Sequence, residues 1–299
     1  MSIPPRGRRI LLGLALLLAC MGAAQAAREM VLEGPRPVRV LVPEDVSAPS
    51  RPLVVLLHGY GVNARKQDAY LRLSPLVDRR RFLLALPDGT VDRAGKRGWN
   101  AGRTFGNPYG HRADDAAYLA AVIRRLQARF SADPRRIFLV GHSNGGRMAY
   151  QLVCRHPGTA AALVSLAGAQ LGDPSRQCPP GPALRVLQIH GTADAKAAYG
   201  GGRFQGRAHP SAEEAAAQWA AYDGCPPRPA PDGERLDLEV TVPGPDTTAR
   251  THARGCRPGG AVTLWSVEGG GHVPRLAPVG ESTALARAIM DWLRVPRLR

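Results

Sequence analysis

The residues best suited to chemistry in this sequence are a serine, an aspartate and a histidine, which occur in that order along the chain. Ser143 is the centre of the segment Gly-His-Ser-Asn-Gly, which directly follows an apolar run at residues 137–140. A buried strand, a G-x-S-x-G turn and a helix in succession predict a nucleophile elbow, which exposes the serine hydroxyl at the end of the strand. The turn is so tight that side chains at Gly141 and Gly145 would collide with backbone. The sequence therefore predicts that Ser143 is a nucleophile.

Asp194 and His272 are the acid and the base that such a serine requires. Asp194 ends the segment His-Gly-Thr-Ala-Asp after an apolar run at 184–189, and His272 ends Glu-Gly-Gly-Gly-His after a run at 261–267. Both follow predicted buried strands, and the carboxyl ends of parallel strands meet at one edge of a sheet. We therefore expect both side chains to meet Ser143, in the chain order Ser, Asp, His.

Other residues could take these two roles, and each fits less well. His209 and His252 also follow Asp194 in the sequence. His209 precedes a predicted helix and is interpreted as part of its cap, whereas His252 lies in a segment rich in proline and glycine. Asp173 and Asp223 are alternative acids, but neither ends a predicted strand.

Two backbone N–H groups are predicted to bind the oxyanion that forms during acyl transfer. One belongs to Tyr60, in the segment Leu-His-Gly-Tyr-Gly that ends an apolar run at 53–57, and the other to Asn144, the residue after the serine. Trp99 and Asn100 are candidate substrate contacts in a glycine-rich loop. Trp99 could form an aromatic wall of the cleft or pack inside the loop, and Asn100 could donate to substrate.

No metal or other cofactor is expected. The histidines and carboxylates lack the spacing of metal ligands, and the cysteines do not form C-x-x-C pairs.

The elements that must position these residues alternate between short apolar runs and amphipathic helices. Buried strands are predicted at residues 53–57, 82–86, 137–140, 162–166, 184–189 and 261–267, and an edge hairpin at 30–32 and 38–42. Helices are predicted at about 64–73, 114–130, 144–156, 211–224 and 285–293, with a loop at 90–112 and an excursion at 226–257. This alternation predicts an α/β fold in which helices cover both faces of a mainly parallel sheet. With no repeat or linker, residues 27–299 are expected to form a single catalytic domain.

The first 26 residues have the composition of an export signal. Three arginines precede a short apolar stretch at residues 10–19, and Ala24-Gln-Ala26 is typical of a cleavage site. We therefore expect a secreted or periplasmic protein that begins at Ala27. The alternative is a lipoprotein, because Leu17-Leu-Ala-Cys20 resembles a lipobox in which Cys20 would carry a lipid anchor. No other stretch is long and apolar enough to predict a transmembrane span.

Four cysteines remain after the predicted signal, namely Cys154, Cys178, Cys225 and Cys256. Disulfides are expected in an oxidising compartment, and four cysteines allow three pairings. The simplest is sequential, 154 with 178 and 225 with 256.

The strongly basic charge is interpreted as compositional bias. The 299 residues carry a formal charge of +16, yet only three of the 40 basic residues are lysine and the arginines are scattered. No nucleic-acid-binding pattern accompanies them, so no nucleic-acid partner is expected.

Five segments resemble the exported polyhydroxybutyrate depolymerase and feruloyl or acetylxylan esterase family, a group of α/β-hydrolases similar to carbohydrate esterase family 1. They are Leu-His-Gly-Tyr-Gly at 57–61, Pro-Asp-Gly at 87–89, Gly-His-Ser-Asn-Gly at 141–145, His-Gly-Thr-Ala-Asp at 190–194 and Glu-Gly-Gly-Gly-His at 268–272. The resemblance covers about residues 53–293 and implies the α/β-hydrolase fold, with Ser143 as nucleophile, Asp194 as acid and His272 as base. The chain departs from the family pattern after the acid, at 195–199, and after the histidine, at 273–275.

These observations predict an exported serine esterase that acts on carboxylic esters through an acyl-enzyme. The substrates expected are feruloyl or acetyl esters of polysaccharides, or short hydroxyalkanoate oligomers. Two alternatives remain, an acyltransferase with the same three residues and a noncatalytic exported binding protein on the same fold.

Overall fold

The computed structural model describes residues 27–45, 50–168, 170, 172–204, 206–230 and 235–294, and its centre is a nine-stranded sheet. The predicted signal peptide, including Cys20, lies outside the described residues. The strands are, in chain order, β1 Arg28–Leu32, β2 Val38–Val42, β3 Arg51–Leu57, β4 Leu83–Leu86, β5 Thr90–Val91, β6 Arg97–Gly98, β7 Ala132–His142, β8 Ala162–Leu166, β9 Arg185–Gly191, β10 Gly202–Phe204, β11 Arg207–His209, β12 Thr247–His252, β13 Ala261–Val267, β14 Pro278–Val279 and β15 Ser282–Thr283.

The order of strands in the large sheet is β1-β2-β4-β3-β7-β8-β9-β13-β12. The six strands from β4 to β13 in this order are parallel, whereas β1, β2 and β12 run antiparallel to their neighbours. The parallel centre brings the carboxyl ends of β3, β7, β9 and β13 to one edge. These are the strands that the sequence predicts to carry the reactive groups.

Helices cover both faces of the sheet, as the sequence predicts. They are α1 Ala64–Leu71, α2 Val77–Arg80, α3 Gly102–Phe105, α4 Asp115–Phe130, α5 Asn144–Arg155, α6 Pro174–Gln177, α7 Ala212–Tyr222 and α8 Ala284–Trp292. Alternate residues of β3 face opposite sides, so Leu53, Val55 and Leu57 pack with α4, α5 and α7, while Val54 and Leu56 pack with α1 and α8. The α/β fold is therefore confirmed. None of the described helices is long and apolar enough to span a membrane.

Several segments differ from the sequence prediction, and the β10–β11 and β14–β15 hairpins and the short helices α2 and α6 are among them. The predicted excursion contains β12, which pairs with β13 and extends the large sheet. It was missed because its sequence, Thr-Thr-Ala-Arg-Thr-His, is polar, as suits a strand at the edge of a sheet. The predicted loop at 90–112 contains the small β5–β6 hairpin and the short helix α3. Strand β7 begins at Ala132, five residues before the apolar run.

Two disulfides join Cys154 to Cys178 and Cys225 to Cys256. This is the sequential pairing that the sequence analysis considered simplest. The first ties the end of α5 to the residue after α6, and the second ties the segment after α7 to the segment before β13.

Candidate active site

Ser143 lies in a strained turn between β7 and α5. Its φ and ψ are 54° and −115°, a conformation that residues other than glycine rarely adopt. A Cβ on Gly141 would lie 2.3 Å from the carbonyl oxygen of Gly145, and one on Gly145 would lie 2.2 Å from that of Leu57. Both positions therefore require glycine, as the sequence predicts. The Ser143 N–H donates to the carbonyl of Leu166 on the adjacent strand β8, 2.7 Å away.

The structure brings Asp194 and His272 to Ser143. His272 Nε2 lies 2.9 Å from Ser143 Oγ, and His272 Nδ1 lies 2.8 Å from Asp194 Oδ2. The loops after β9 and β13 are held together by backbone hydrogen bonds, including one of 3.0 Å from Ala193 N–H to Gly270 O. This arrangement can pass a proton from the serine hydroxyl to the imidazole while a carboxylate orients the ring.

The carboxylate of Asp194 is buried and heavily hydrogen-bonded. Its Oδ1 accepts the N–H groups of Lys196 at 2.8 Å and Ala197 at 2.9 Å, and its Oδ2 lies 3.2 Å from His190 Nε2. Burial alone would raise the pKa of Asp194. The hydrogen bonds from His190, His272 and the Ala197 N–H outweigh burial and hold the pKa below its usual range. Asp194 therefore stays ionised and can stabilise a positive imidazolium.

A hydrogen-bonded chain behind Asp194 involves three residues to which the sequence analysis gave no role. Tyr150 Oη donates to Gln188 Oε1, and Gln188 Nε2 lies 3.3 Å from His190 Nδ1. Because the amide N–H₂ can only donate, it requires His190 Nδ1 to accept, which leaves the proton on Nε2. That Nε2 faces Ala197 O at 2.7 Å as well as Asp194. His190 begins the His-Gly-Thr-Ala-Asp segment, but nothing in the sequence indicates that Tyr150 of α5 joins it through Gln188.

His142, the residue before the serine, holds the loop that carries His272. Its Nε2 lies 2.9 Å from the backbone carbonyl oxygen of His272, and the two rings are 5.5 Å apart. Burial lowers the pKa of His142 to about 4, so the ring is neutral at ordinary pH and Nε2 carries the donated proton. The position of His142 within the G-x-S-x-G segment suggests a contact with the active site. The sequence does not indicate that the contact is with the backbone of His272.

The two predicted oxyanion donors lie beside the elbow. The N–H groups on either side of Tyr60 are engaged, Gly59 with Gln67 Oε1 at 3.1 Å and Gly61 with Arg97 O at 2.8 Å. The Tyr60 N–H has no acceptor among the described residues. Asn144 is the first residue of α5, so its N–H has no acceptor within the helix.

A pocket of about 360 Å³ opens at Ser143. Its walls include four tyrosine or phenylalanine side chains, and the rings of Tyr60 and Tyr109 stack with centroids 3.5 Å apart. Lys196 and Val273, which lie in the two segments that depart from the family pattern, also line it. The remaining lining residues include Gly59, Val62, Lys66, Gln67, Tyr70, His142, Phe204 and His272.

Neither Trp99 nor Asn100 lines the pocket at Ser143. Trp99 is fully buried, donates from Nε1 to His58 O at 2.9 Å, and exchanges two backbone hydrogen bonds with the Asn144 amide. It therefore holds the first residue of α5 in place and does not line the Ser143 pocket. Asn100 Nδ2 donates to Ala113 O, and its Oδ1 accepts the Gly102 N–H, so this amide organises its own loop.

The alternative acids and bases are engaged elsewhere. His209 lies on β11, and the cap of α7 is Ser211, which corrects the interpretation of His209 as part of the cap. His252 lies on β12 and contacts Pro226 O. Asp173 accepts the Ser175 N–H and Asp223 accepts the Leu184 N–H.

The comparisons with known proteins agree with this fold. A sequence model described as esterase PHB depolymerase matches residues 39–195. A putative esterase, NocK, from Nocardia uniformis subsp. tsuyamanensis is 30% identical over 81% of this chain and 67% of its own length. Feruloyl esterase B from Piromyces equi is 27% identical over 64% of this chain, which spans only 33% of that relative. The structure of an acetyl xylan esterase from Aspergillus awamori superposes with a TM-score of 0.63 at 14% identity, over 91% of this chain and all of that one.

The fold and these relatives define a carboxylic ester hydrolase of the α/β-hydrolase class. The chain belongs to the esterase PHB depolymerase family.

Proposed function

We propose that this chain is an exported serine esterase in which Ser143 is the nucleophile, His272 the general base and Asp194 the acid. The observation that carries the proposal is the hydrogen-bonded series Asp194–His272–Ser143, with contacts of 2.8 Å and 2.9 Å. His272 takes the proton as Ser143 Oγ attacks the ester carbonyl, and returns it to the departing alcohol. Water activated by the same imidazole then hydrolyses the acyl-enzyme.

The backbone N–H groups of Tyr60 and Asn144 are the proposed oxyanion donors. Tyr60 lines the same pocket as Ser143, and Asn144 follows Ser143 in the sequence. Neither N–H group donates to an acceptor in the described part of the chain. Each donor of this kind contributes roughly 3–4 kcal/mol to stabilising the transition state.

The proposed substrates are feruloyl and acetyl esters of polysaccharides. The relatives named feruloyl esterase and acetylxylan esterase support this choice, as do the aromatic walls of the pocket. The family name also suggests short hydroxybutyrate oligomers, and a direct comparison of substrates separates the two.

The test compares wild type with Ser143→Ala on p-nitrophenyl acetate, methyl ferulate, acetylated xylan and hydroxybutyrate oligomers. We expect the wild type to hydrolyse the first three and the variant to lose at least a thousandfold in kcat/KM. Equal rates for the two proteins would disprove the role of Ser143. Faster transfer to an added alcohol than to water would instead identify an acyltransferase, and no turnover at all a binding protein.

We also propose export directed by residues 1–26. The two disulfides support an oxidising destination. Expression in a bacterial host followed by N-terminal sequencing tests this, and we expect the exported protein to begin at Ala27. A lipid-modified Cys20 as the first residue would identify a lipoprotein instead.

A further inference from the structure

A second cavity, of about 680 Å³, lies beside the pocket of Ser143 and shares no lining residue with it. Three segments contribute residues to both, while others line only one of the two. On the β10–β11 hairpin, Phe204 lines the Ser143 pocket and its register partner Arg207 lines the second cavity. In the loop before α4, Tyr109 lines the Ser143 pocket and Arg112 lines the second cavity. The two cavities are therefore neighbours across one wall.

Helix α5 sets the distance between them. It begins directly after Ser143, and Gln151 and Arg155 line the second cavity two and three turns later. At 1.5 Å per residue, these positions lie about 12 and 18 Å along the helix from the serine. A ligand that reaches both cavities must therefore be longer than a simple acyl group.

The second cavity is strongly positive. Arg112, Arg155 and Arg207 are exposed, and none of them makes an ion pair or side-chain hydrogen bond with a described residue. Asp114 is the only carboxylate among the described lining residues, and its Oδ1 already caps α4 by accepting the Ala117 N–H at 3.0 Å. Three guanidinium groups around one space repel each other, and an anion between them would relieve that repulsion.

Amide side chains complete the lining. Gln151 packs against Gly102, where a Cβ would lie 2.6 Å from Gln151 Nε2, so this close contact limits the positions open to the amide. Gln177 is the last residue of α6 and directly precedes Cys178 of the Cys154–Cys178 disulfide. Carboxamides suit the hydroxyl groups of a sugar, and arginine forks suit a carboxylate.

We propose that this cavity is a subsite for the carboxylate of an acidic polysaccharide, such as a uronic acid unit, whose ester group lies at Ser143. This inference rests on the proposed function, because it extends the polysaccharide ester to one with an acidic side group. Arg112, Arg155 and Arg207 bind the carboxylate, and Gln151 contacts the sugar.

The test measures kcat/KM for acetylated xylo-oligosaccharides that carry glucuronic acid and for the same oligosaccharides after reduction of the carboxyl groups. We expect the wild type to prefer the acidic form about tenfold, as one charge-assisted contact can supply. The triple variant Arg112→Gln/Arg155→Gln/Arg207→Gln should lose this preference through KM and keep its rate on p-nitrophenyl acetate. The matched control is Arg124→Gln/Arg228→Gln/Arg254→Gln, which removes the same charge from exposed arginines that line neither cavity.

Equal wild-type rates on the two forms, or an equal loss of preference in the control, would overturn the subsite. Inorganic phosphate that inhibits hydrolysis of the acidic form more strongly than free glucuronate does would identify a phosphate site and also overturn it. These outcomes are distinct from a failure of the proposed function, which Ser143→Ala reveals on p-nitrophenyl acetate alone.

Discussion

His142 Nε2 donates a hydrogen bond of 2.9 Å to the backbone carbonyl of His272, across 130 residues of sequence. Three glycines precede His272, and hydrogen bonds to Thr192 and Ala193 hold Gly269 and Gly270 to the loop after β9. The neutral state of His142 keeps this hydrogen bond independent of pH over the ordinary range. The residue before the proposed nucleophile therefore positions the proposed base.

Replacement of His142 tests this relationship. His142→Phe keeps a ring but removes the donor, and we expect kcat to fall about tenfold, as for the loss of one buried hydrogen bond. His142→Gln retains an N–H donor and should recover part of the loss. Labelling of Ser143 by a fluorophosphonate should slow in parallel with kcat. An unchanged kcat in the Phe variant would mean that the loop is positioned by other contacts.

The chain behind Asp194 gives a second prediction. In Gln188→Leu, His190 Nδ1 loses its donor, so the ring can adopt the other tautomer and stop donating to Asp194. We expect kcat/KM to fall several-fold with little change in Tm. Gln188→Glu is the comparison variant. Its carboxylate would attract a second proton to Nδ1, so that the ring becomes an imidazolium and Nε2 still donates. Its activity should exceed that of the Leu variant, and the opposite order would contradict the tautomer assignment.

The glycines of the elbow give a third prediction. A Cβ at Gly141 would lie 2.3 Å from backbone, which cannot move without displacing Ser143. We expect Gly141→Ala to lower both Tm and activity, the latter by at least a hundredfold. Gly200→Ala is the control, because a Cβ there meets nothing within 4 Å. Similar behaviour of the two variants would show that the turn tolerates a side chain.

Asp223 gives a prediction on pH. Burial raises its pKa to about 7, and its Oδ2 has no hydrogen-bond partner among the residues that the structure describes. The pKa of this acid is higher in the folded state than in the unfolded state. Below the unfolded pKa, near 4, the carboxyl group is protonated in both states and does not change the free energy of unfolding. As pH rises towards 7, the group lowers the free energy of unfolding progressively. Asp223→Asn should therefore raise Tm at pH 8 and leave it nearly unchanged at pH 4, as differential scanning calorimetry can measure. An increase in Tm at pH 4 that equals the increase at pH 8 would argue against the raised pKa of Asp223.

The sequence predicts the fold wherever apolar runs mark buried strands, and it predicts that Ser143, Asp194 and His272 meet, since each directly follows such a strand. It fails at β12, whose polar edge residues resemble a loop until β13 pairs with them. It leaves two positions open for Trp99, because an aromatic residue in a glycine-rich loop can face the cleft or the core, and only tertiary packing decides. The partners of His190 lie within seven residues of it, but which way its ring points is set by packing and not by the local sequence. His142 is next to Ser143, but its partner His272 is 130 residues away.

We propose that Ser143 becomes acylated during turnover with the help of His272 and Asp194. The most direct measurement is peptide mass spectrometry after rapid acid quenching of the protein with p-nitrophenyl acetate. We expect one added acetyl group on the peptide that contains Ser143. In Asp194→Asn the wrong imidazole tautomer should slow acetylation by about 10⁴-fold. Acetylation at another residue during turnover, or an unmodified protein with full activity, would contradict the account.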